Sequence, residues 1–270
     1  MSAWASLPTS RERGPAASDR RYSIVASDFS SDGQFGNQLL DSLEPADRRR
    51  LEPALTRRHM DLRDLLYGGG ATISTVYFPV NAVVSILTSM QEGPGVEIAT
   101  IGNEGMVGHP LFLGSERMPA REFSQVQVPG EVLLMDAATF QGLIASDGSI
   151  REVIQRYVQA LFSQVSQQVA CNGLHSVEER CSRWLLLTHD RVQSDEFPLT
   201  QEFLSQMLGV RRASVTLAAG ALQKAGFIEY RRGRLKILDR AGLEQASCEC
   251  YRVIRDEFDR LLGPPPGGYR

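Results

Sequence analysis

The 270-residue chain is 42% hydrophobic and 23% charged with a formal net charge of −3, an ordinary globular composition with length enough for two domains and a large core in each. No run approaches the roughly 18 apolar residues of a membrane span, and the N-terminus does not combine a basic start, an apolar run and a small-residue cleavage site. A cytoplasmic protein with no membrane partner is therefore expected. The four cysteines, at 171, 181, 248 and 250, are too few to staple a chain this size and read as reduced thiols. Cys248 and Cys250 are one residue apart, closer than the usual zinc-ligand spacing, and no second pair lies near them in the sequence. No metal and no cofactor is expected.

Residues 1–34 are rich in Ser, Ala, Arg and Pro and bury too little to offset the entropy of ordering, so they read as a flexible tail. Leu39, Leu40, Leu43 and Leu51 then mark a helical leading segment over residues 37–58, interrupted near Pro45 and Pro53. From residue 71 to 135 the pattern changes to short β-rich runs at 72–78, 83–90, 96–101, 124–128 and 131–135, separated by dense turns, as in a β-roll or jelly roll. This domain is taken as residues 35–145.

Asp136 caps a short helix through Phe140 and Leu143. A longer one follows, with Ile150, Val153, Ile154, Tyr157, Leu161, Val165 and Val169 on one side. That stripe can lie on the chain's own β-domain or pair with its copy in a second subunit. The second is preferred, because a helix-turn-helix gains affinity and register from two half-sites, and the connecting helix is taken as residues 146–172, ending at Asn172-Gly173. Beyond it, residues 173–262 form a second domain and residues 263–270 a disordered tail rich in Pro and Gly. Within that domain, residues 177–188 and 241–262 read as helices.

Thr200 stands as an N-cap before a helix with Phe203, Leu204, Met207 and Leu208 on its apolar side, and Gly209 supplies a tight turn. The next helix begins near Arg211 and buries Val215, Ala218, Ala219 and Leu222 at i, i+3, i+4, i+7. Gly226 ends it, and residues 227–230 and 235–238 are two short strands around Arg231-Arg232-Gly233-Arg234. Residues 200–240 hold eight Lys or Arg against three Asp or Glu, a balance of +5 within a chain of −3, so the remainder carries −8. This asymmetry points to a nucleic-acid module on an acidic body, because phosphate neutralisation supplies most non-specific affinity. The candidate DNA-binding residues are Thr200, Arg211, Arg212, Ala213, Ser214, Thr216, Leu217, Lys224, Arg231, Arg232 and Arg234.

The run from Leu199 to Val215, with Leu222-Gln-Lys-Ala-Gly-Phe-Ile228 and the basic wing, resembles the winged helix-turn-helix of the Crp/Fnr superfamily of bacterial transcription regulators. Tyr77-Phe-Pro79 and Ile101-Gly-Asn-Glu-Gly-Met-Val-Gly108 resemble the superfamily's β-roll, and the likeness covers about residues 35–250. It implies an α+β chain: a cyclic-nucleotide-binding-like β-roll, a long dimerisation helix and a C-terminal winged helix-turn-helix. It further implies a homodimer on double-stranded DNA, with RNA polymerase as a protein partner and an unknown small-molecule effector. Cyclic-nucleotide-binding members carry a Gly-Glu pair and an Arg-Ser or Arg-Thr that cradle ribose and phosphate. Here Gly108 precedes His109 and Arg121 precedes Glu122, whose carboxylate would oppose a phosphate. Gating by cyclic AMP is therefore not expected. Well-studied relatives place Arg, Glu and Arg at the positions matching Arg212, Ala213 and Leu217, so only the first is kept.

Other classes fare worse. His59, His109, His175 and His189 are dispersed, with only His109 inside the β-rich region, so a cupin-like metal site is not supported, and a lone His59 or His109 is a weak haem ligand. No cysteine precedes Cys171 to form an N-terminal cluster. There is no Gly-x-Ser-x-Gly elbow, Walker loop or dinucleotide fingerprint, and no enzyme is expected.

Overall fold

Three antiparallel sheets organise the chain, described by a computed structural model for residues 34–91, 95–146, 148–192 and 194–265. Except for Gln34, the expected N-terminal tail lies outside the described residues, as do residues 266–270 of the C-terminal one. The N-terminal domain packs two of the sheets face to face. One orders β1 (Thr56–Met60), β7 (Gly130–Asp136) and β3 (Thr75–Pro79) as β1-β7-β3. The other orders β2 (Leu65–Tyr67), β6 (Glu122–Val128), β4 (Val83–Thr88) and β5 (Val96–Ile101) as β2-β6-β4-β5. Residues such as Val76, Phe78, Val84, Leu87, Val126 and Leu133 are almost wholly buried and belong to one continuous apolar core.

The expected strands between 72 and 135 are present with small shifts at their ends. The leading segment differs. Only α1 (Gln38–Asp41) and α2 (Pro45–Leu51) are α-helical, a 3₁₀ turn spans Glu52–Ala54, and β1 begins at Thr56 inside the expected helix. Pro53 halts the helix, and the full register of β1 against β7 then draws residues 56–60 into the sheet. The short β2 carries too few residues to show a period.

After α3 (Ala137–Ala145), α4 runs from Ser149 to Leu174. It continues through Asn172-Gly173, tolerating a glycine that costs roughly 1 kcal/mol in a helix interior. It stops where Ser176 and Glu179 form a capping box that starts α5 (Val177–His189). Most of the stripe expected at a dimer seam lies inside the chain's own core, Val169 excepted at 70% exposed. Ile150, Val153, Ile154, Tyr157 and Leu161 are buried and Val165 is half-buried, with the Tyr157 hydroxyl donating to the Met106 carbonyl oxygen at 2.9 Å. The periodicity correctly marks a buried face, but the β-roll is what covers it.

The C-terminal domain comprises α5, β8 (Glu196–Pro198), α6 (Gln201–Leu208), α7 (Arg212–Lys224), β9 (Ile228–Arg231), β10 (Arg234–Ile237), α8 (Arg240–Gln245) and α9 (Cys250–Leu262). The single helix expected over 241–262 is broken at residues 246–249, and α9 returns to lie along α4. There Ser163 meets Glu257 and Gln167 meets Cys250.

The two domains meet through buried polar groups. Ser85 Oγ lies 2.6 Å from Glu97 Oε2 and 2.8 Å from Gln127 Oε1. The α5 side donates Trp184 Nε1–H to Glu97 at 2.8 Å, and Gln127 Nε2–H reaches Thr188 Oγ1 at 2.9 Å. Glu104, from the motif Ile101–Gly108, accepts from Arg191 Nε at 2.8 Å, a pair largely shielded from water. No helix among the described residues is long and apolar enough to cross a membrane.

Candidate nucleic-acid interface

Helix α6 starts because the Thr200 hydroxyl accepts from the Phe203 N–H at 3.1 Å, and it ends at Gly209, whose φ of 62° is left-handed. A side chain at 209 would also meet Val96 of β5 at 2.8 Å, so glycine serves both the turn and the domain contact. Arg211 then takes an extended N-cap conformation for α7. Val215, Ala218, Ala219 and Leu222 turn inward, all buried, as the helical period predicts.

The opposite face of α7 is open. Arg212, Ala213, Thr216 and Lys224 are exposed, Ser214 is half-buried, and Leu217 is 76% exposed. Leu217 thus adds an apolar element to the exposed face. The Thr216 hydroxyl, 2.9 Å from Gln201 Oε1 and 3.1 Å from the Arg212 carbonyl oxygen, ties the exposed faces of α6 and α7 together. Gln201 was not among the sequence candidates, because only contact across the helix pair shows its place.

The wing is a two-residue hairpin. Arg232 and Gly233 have φ of 49° and 77°, the paired positive values of a type I′ turn, and β9 pairs with β10 in register from Arg231↔Arg234 to Ile237↔Ile228. Arg231, Arg232 and Arg234 are exposed on it together with Lys236, another residue the sequence reading passed over. Their charge is partly answered: Arg234 pairs with Glu196 of β8, and Arg231 lies 3.8 Å from Glu229. The Arg234 hydrogen bond and charge hold the Glu196 carboxyl below its usual range. The eleven candidates thus fall on the start of α6, one face of α7 and one hairpin, a surface of two helix edges and a basic wing that can present side chains to a groove and cations to phosphates.

In the β-roll, a recess opens between β4, β5, the turn at His109, and α4. It is lined by Ile86, Ile98, Ala99, His109, Glu122 and Leu161 among others, so both residues that depart from the cyclic-nucleotide cassette face it. His109 Nδ1 is buried without a hydrogen-bond partner among the described residues, and burial depresses the ring's pKa to about 4. Burial likewise raises the Glu122 carboxyl above its ordinary value.

The family described as Crp-like helix-turn-helix domain matches residues 179–246. No curated protein matches the chain. Among solved structures, the chain is similar to a putative transcriptional regulator of the Crp/Fnr family from Eubacterium rectale, 16% identical with a TM-score of 0.60, over 79% of this chain and 99% of that one. It is similar to FixK2 from Bradyrhizobium japonicum, 16% identical with a TM-score of 0.60, over 72% and 98%. The c-di-GMP responsive global regulator CLP from Xanthomonas campestris is 16% identical with a TM-score of 0.56, over 72% and 99%. With its C-terminal helix-turn-helix matched in sequence and its β-roll, long helix and winged domain matched in structure, the chain has the fold of a Crp/Fnr-superfamily transcriptional regulator.

Proposed function

We propose that the protein is a sequence-specific DNA-binding transcriptional regulator that acts as a homodimer in the cytoplasm and is not gated by cyclic AMP. The observation that carries this reading is the bare face of α7, with Arg212, Ala213, Thr216 and Leu217 turned outward beside a basic wing. Arg212 suits a bidentate contact with guanine, whereas Ala213 and Leu217 offer apolar contact to thymine methyl groups. The dimer is assigned to the exposed edge of the α4 stripe and not to its buried face. Val158, Phe162, Val165 and Val169 recur at 4-3-4 spacing; Val158 and Val165 are half-buried against the core, while Phe162 and Val169 are 73% and 70% exposed and, seven residues apart, suit a coiled-coil-like seam with a second copy. Two half-sites on one dimer bind with high effective concentration. RNA polymerase is the partner through which such a dimer would act.

Selection from a randomised DNA library tests the proposal. The expected product is an inverted repeat, each half holding one guanine beside A·T pairs, with half-site centres about one helical turn apart. Recovery of no shared motif would sink the assignment to sequence-specific binding. Calorimetric titration with cyclic AMP is expected to give no heat of binding, because the family resemblance implies that Glu122 and His109 replace groups that hold the phosphate and ribose; micromolar binding would overturn that clause.

The recess supports a second reading, a regulator gated by another small molecule. CLP, on the same fold, is c-di-GMP responsive, and here a largely apolar recess lined by His109 and Glu122 suits an uncharged ligand.

A further inference from the structure

We propose that Cys171, His175, Cys248 and Cys250 form a tetrahedral structural zinc site. Their four ligand atoms all lie within 4.8 Å of one another. The Cys171 and Cys248 sulfurs are 3.5 Å apart, and Cys250 Sγ is 3.4 Å from His175 Nδ1. A zinc ion at about 2.3 Å from each thiolate sets sulfurs roughly 3.8 Å apart at tetrahedral angles, so small adjustments complete a Cys₃His shell. Ligand atoms this close fit a single ion more readily than a multi-iron cluster, whose irons spread their thiolates further apart.

The fold supplies what the sequence spacing withheld. Cys171 and His175 stand four residues apart at the C-terminal end of α4, on one side of the helix, and Cys248 and Cys250 flank the start of α9. Cys248 and Cys250 were set aside for want of a second pair nearby, and the antiparallel return of α9 brings that pair to them.

The surroundings are those of a ligand shell and not of an apolar satellite core. His175 Nε2 lies 3.2 Å from Glu249 Oε2. A proton held there for the carboxylate leaves the Nδ1 lone pair facing the sulfurs, the carboxylate–histidine arrangement that orients metal-bound imidazoles. Gln167 Nε2–H donates to Cys250 Sγ at 3.0 Å, a bond that suits a thiolate. Three thiolates and a divalent zinc sum to one negative charge, and Arg183 of α5 acts electrostatically on Cys171. Arg183 is only 2% exposed, and its Nε and Nη2 have no hydrogen-bond partner among the described residues. Cys181 serves as the contrast. It is wholly buried outside the group, and burial pushes its thiol up to about 12, the behaviour of an inert core cysteine. A zinc ion at this place would clamp α9 to the last turn of α4, beside the junction with α5, and so fix the angle at which the helix-turn-helix leaves the long helix.

The test uses the full chain, produced with zinc supplied and purified under reducing conditions. One zinc per chain is expected by elemental analysis. Replacement by Co²⁺ should give tetrahedral ligand-field bands with thiolate charge transfer. His175→Ala and Cys250→Ser should lose the metal while Cys181→Ser keeps it. Because ligand variants can fail to fold, Glu249→Ala provides the second arm: its side chain is 66% exposed, and its loss should weaken zinc binding about 10- to 100-fold with the fold retained. A folded chain with four free thiols that takes up neither Zn²⁺ nor Co²⁺ would overturn the proposal. So would a Cys171–Cys248 disulfide, iron with inorganic sulfide, or zinc retained equally in all of these variants.

Discussion

In the proposed reading of DNA, Arg212 and Leu217 divide the work on α7 by chemistry, and each has its own expected signature. Arg212→Ala should cost about 1–3 kcal/mol and relax preference at one guanine. Arg231→Ala or Lys224→Ala should weaken binding to all sequences alike and lower the salt slope by about 1. Binding of these variants to the selected library separates the roles: if Arg212→Ala weakens every sequence equally while Leu217→Ala leaves the motif unchanged, base reading lies elsewhere. The outward face of α7 was legible because helical period and charge agree over 13 residues. Gln201 and Lys236 were not legible, since each matters through a neighbour on another element. The four-residue cluster around Cys250 was hidden for the same reason, its halves lying more than 70 residues apart along the chain.

Helix α4 shows how one element can satisfy several partners. One side, from Ile150 to Gln164, is buried against the β-roll, a second carries Ser163, Gln167 and Cys171 toward α9, and a third leaves Phe162 and Val169 bare. Hydrophobic period alone identified the first but could not decide what covers it, because burial by the β-roll and burial by a second copy give identical patterns. Phe162→Glu with Val169→Glu should yield a folded monomer by ultracentrifugation and circular dichroism. Ile154→Glu buries an unpaired charge and should destabilise the fold by more than about 4 kcal/mol. A dimer that persists in the double variant would move the seam off α4. The turn at Gly209 makes a sharper demand. Gly209→Ala forces a left-handed alanine against Val96, and a cost of about 1–2 kcal/mol is expected in chemical denaturation, with no measurable change excluding strain there.

Across the whole molecule, Glu97 joins the β-roll to α5, and its environment gives the contact a dependence on pH. The carboxyl is 3% exposed. Burial raises its pKa despite hydrogen bonds from Ser85, Thr100 and Trp184 and the nearby Arg183 charge. The single Ser85 hydroxyl proton cannot serve both Glu97 and Gln127, whereas a protonated Glu97 donates to Ser85 and frees that proton for Gln127 Oε1. A carboxyl whose folded pKa lies above its unfolded one contributes stability that is full below the unfolded value and is lost as pH rises through the folded value. Thermal unfolding from about pH 5 to about pH 8 should therefore show a smaller loss for Glu97→Gln than for the parent chain; equal losses would remove Glu97 as the source.

The return of α9 to α4 also sets an order of events during synthesis. Roughly 75 residues separate the end of α4 from the start of α9, an interval of about 4–15 s at ordinary rates of translation. Throughout it Cys171, wholly buried in the finished fold, stands at the end of a helix whose covering has not yet been made. The nascent chain is thus open to thiol oxidation and to premature pairing with other chains at a place the mature protein conceals, and a brief pulse of alkylating reagent during translation should mark Cys171 where the same pulse afterwards does not.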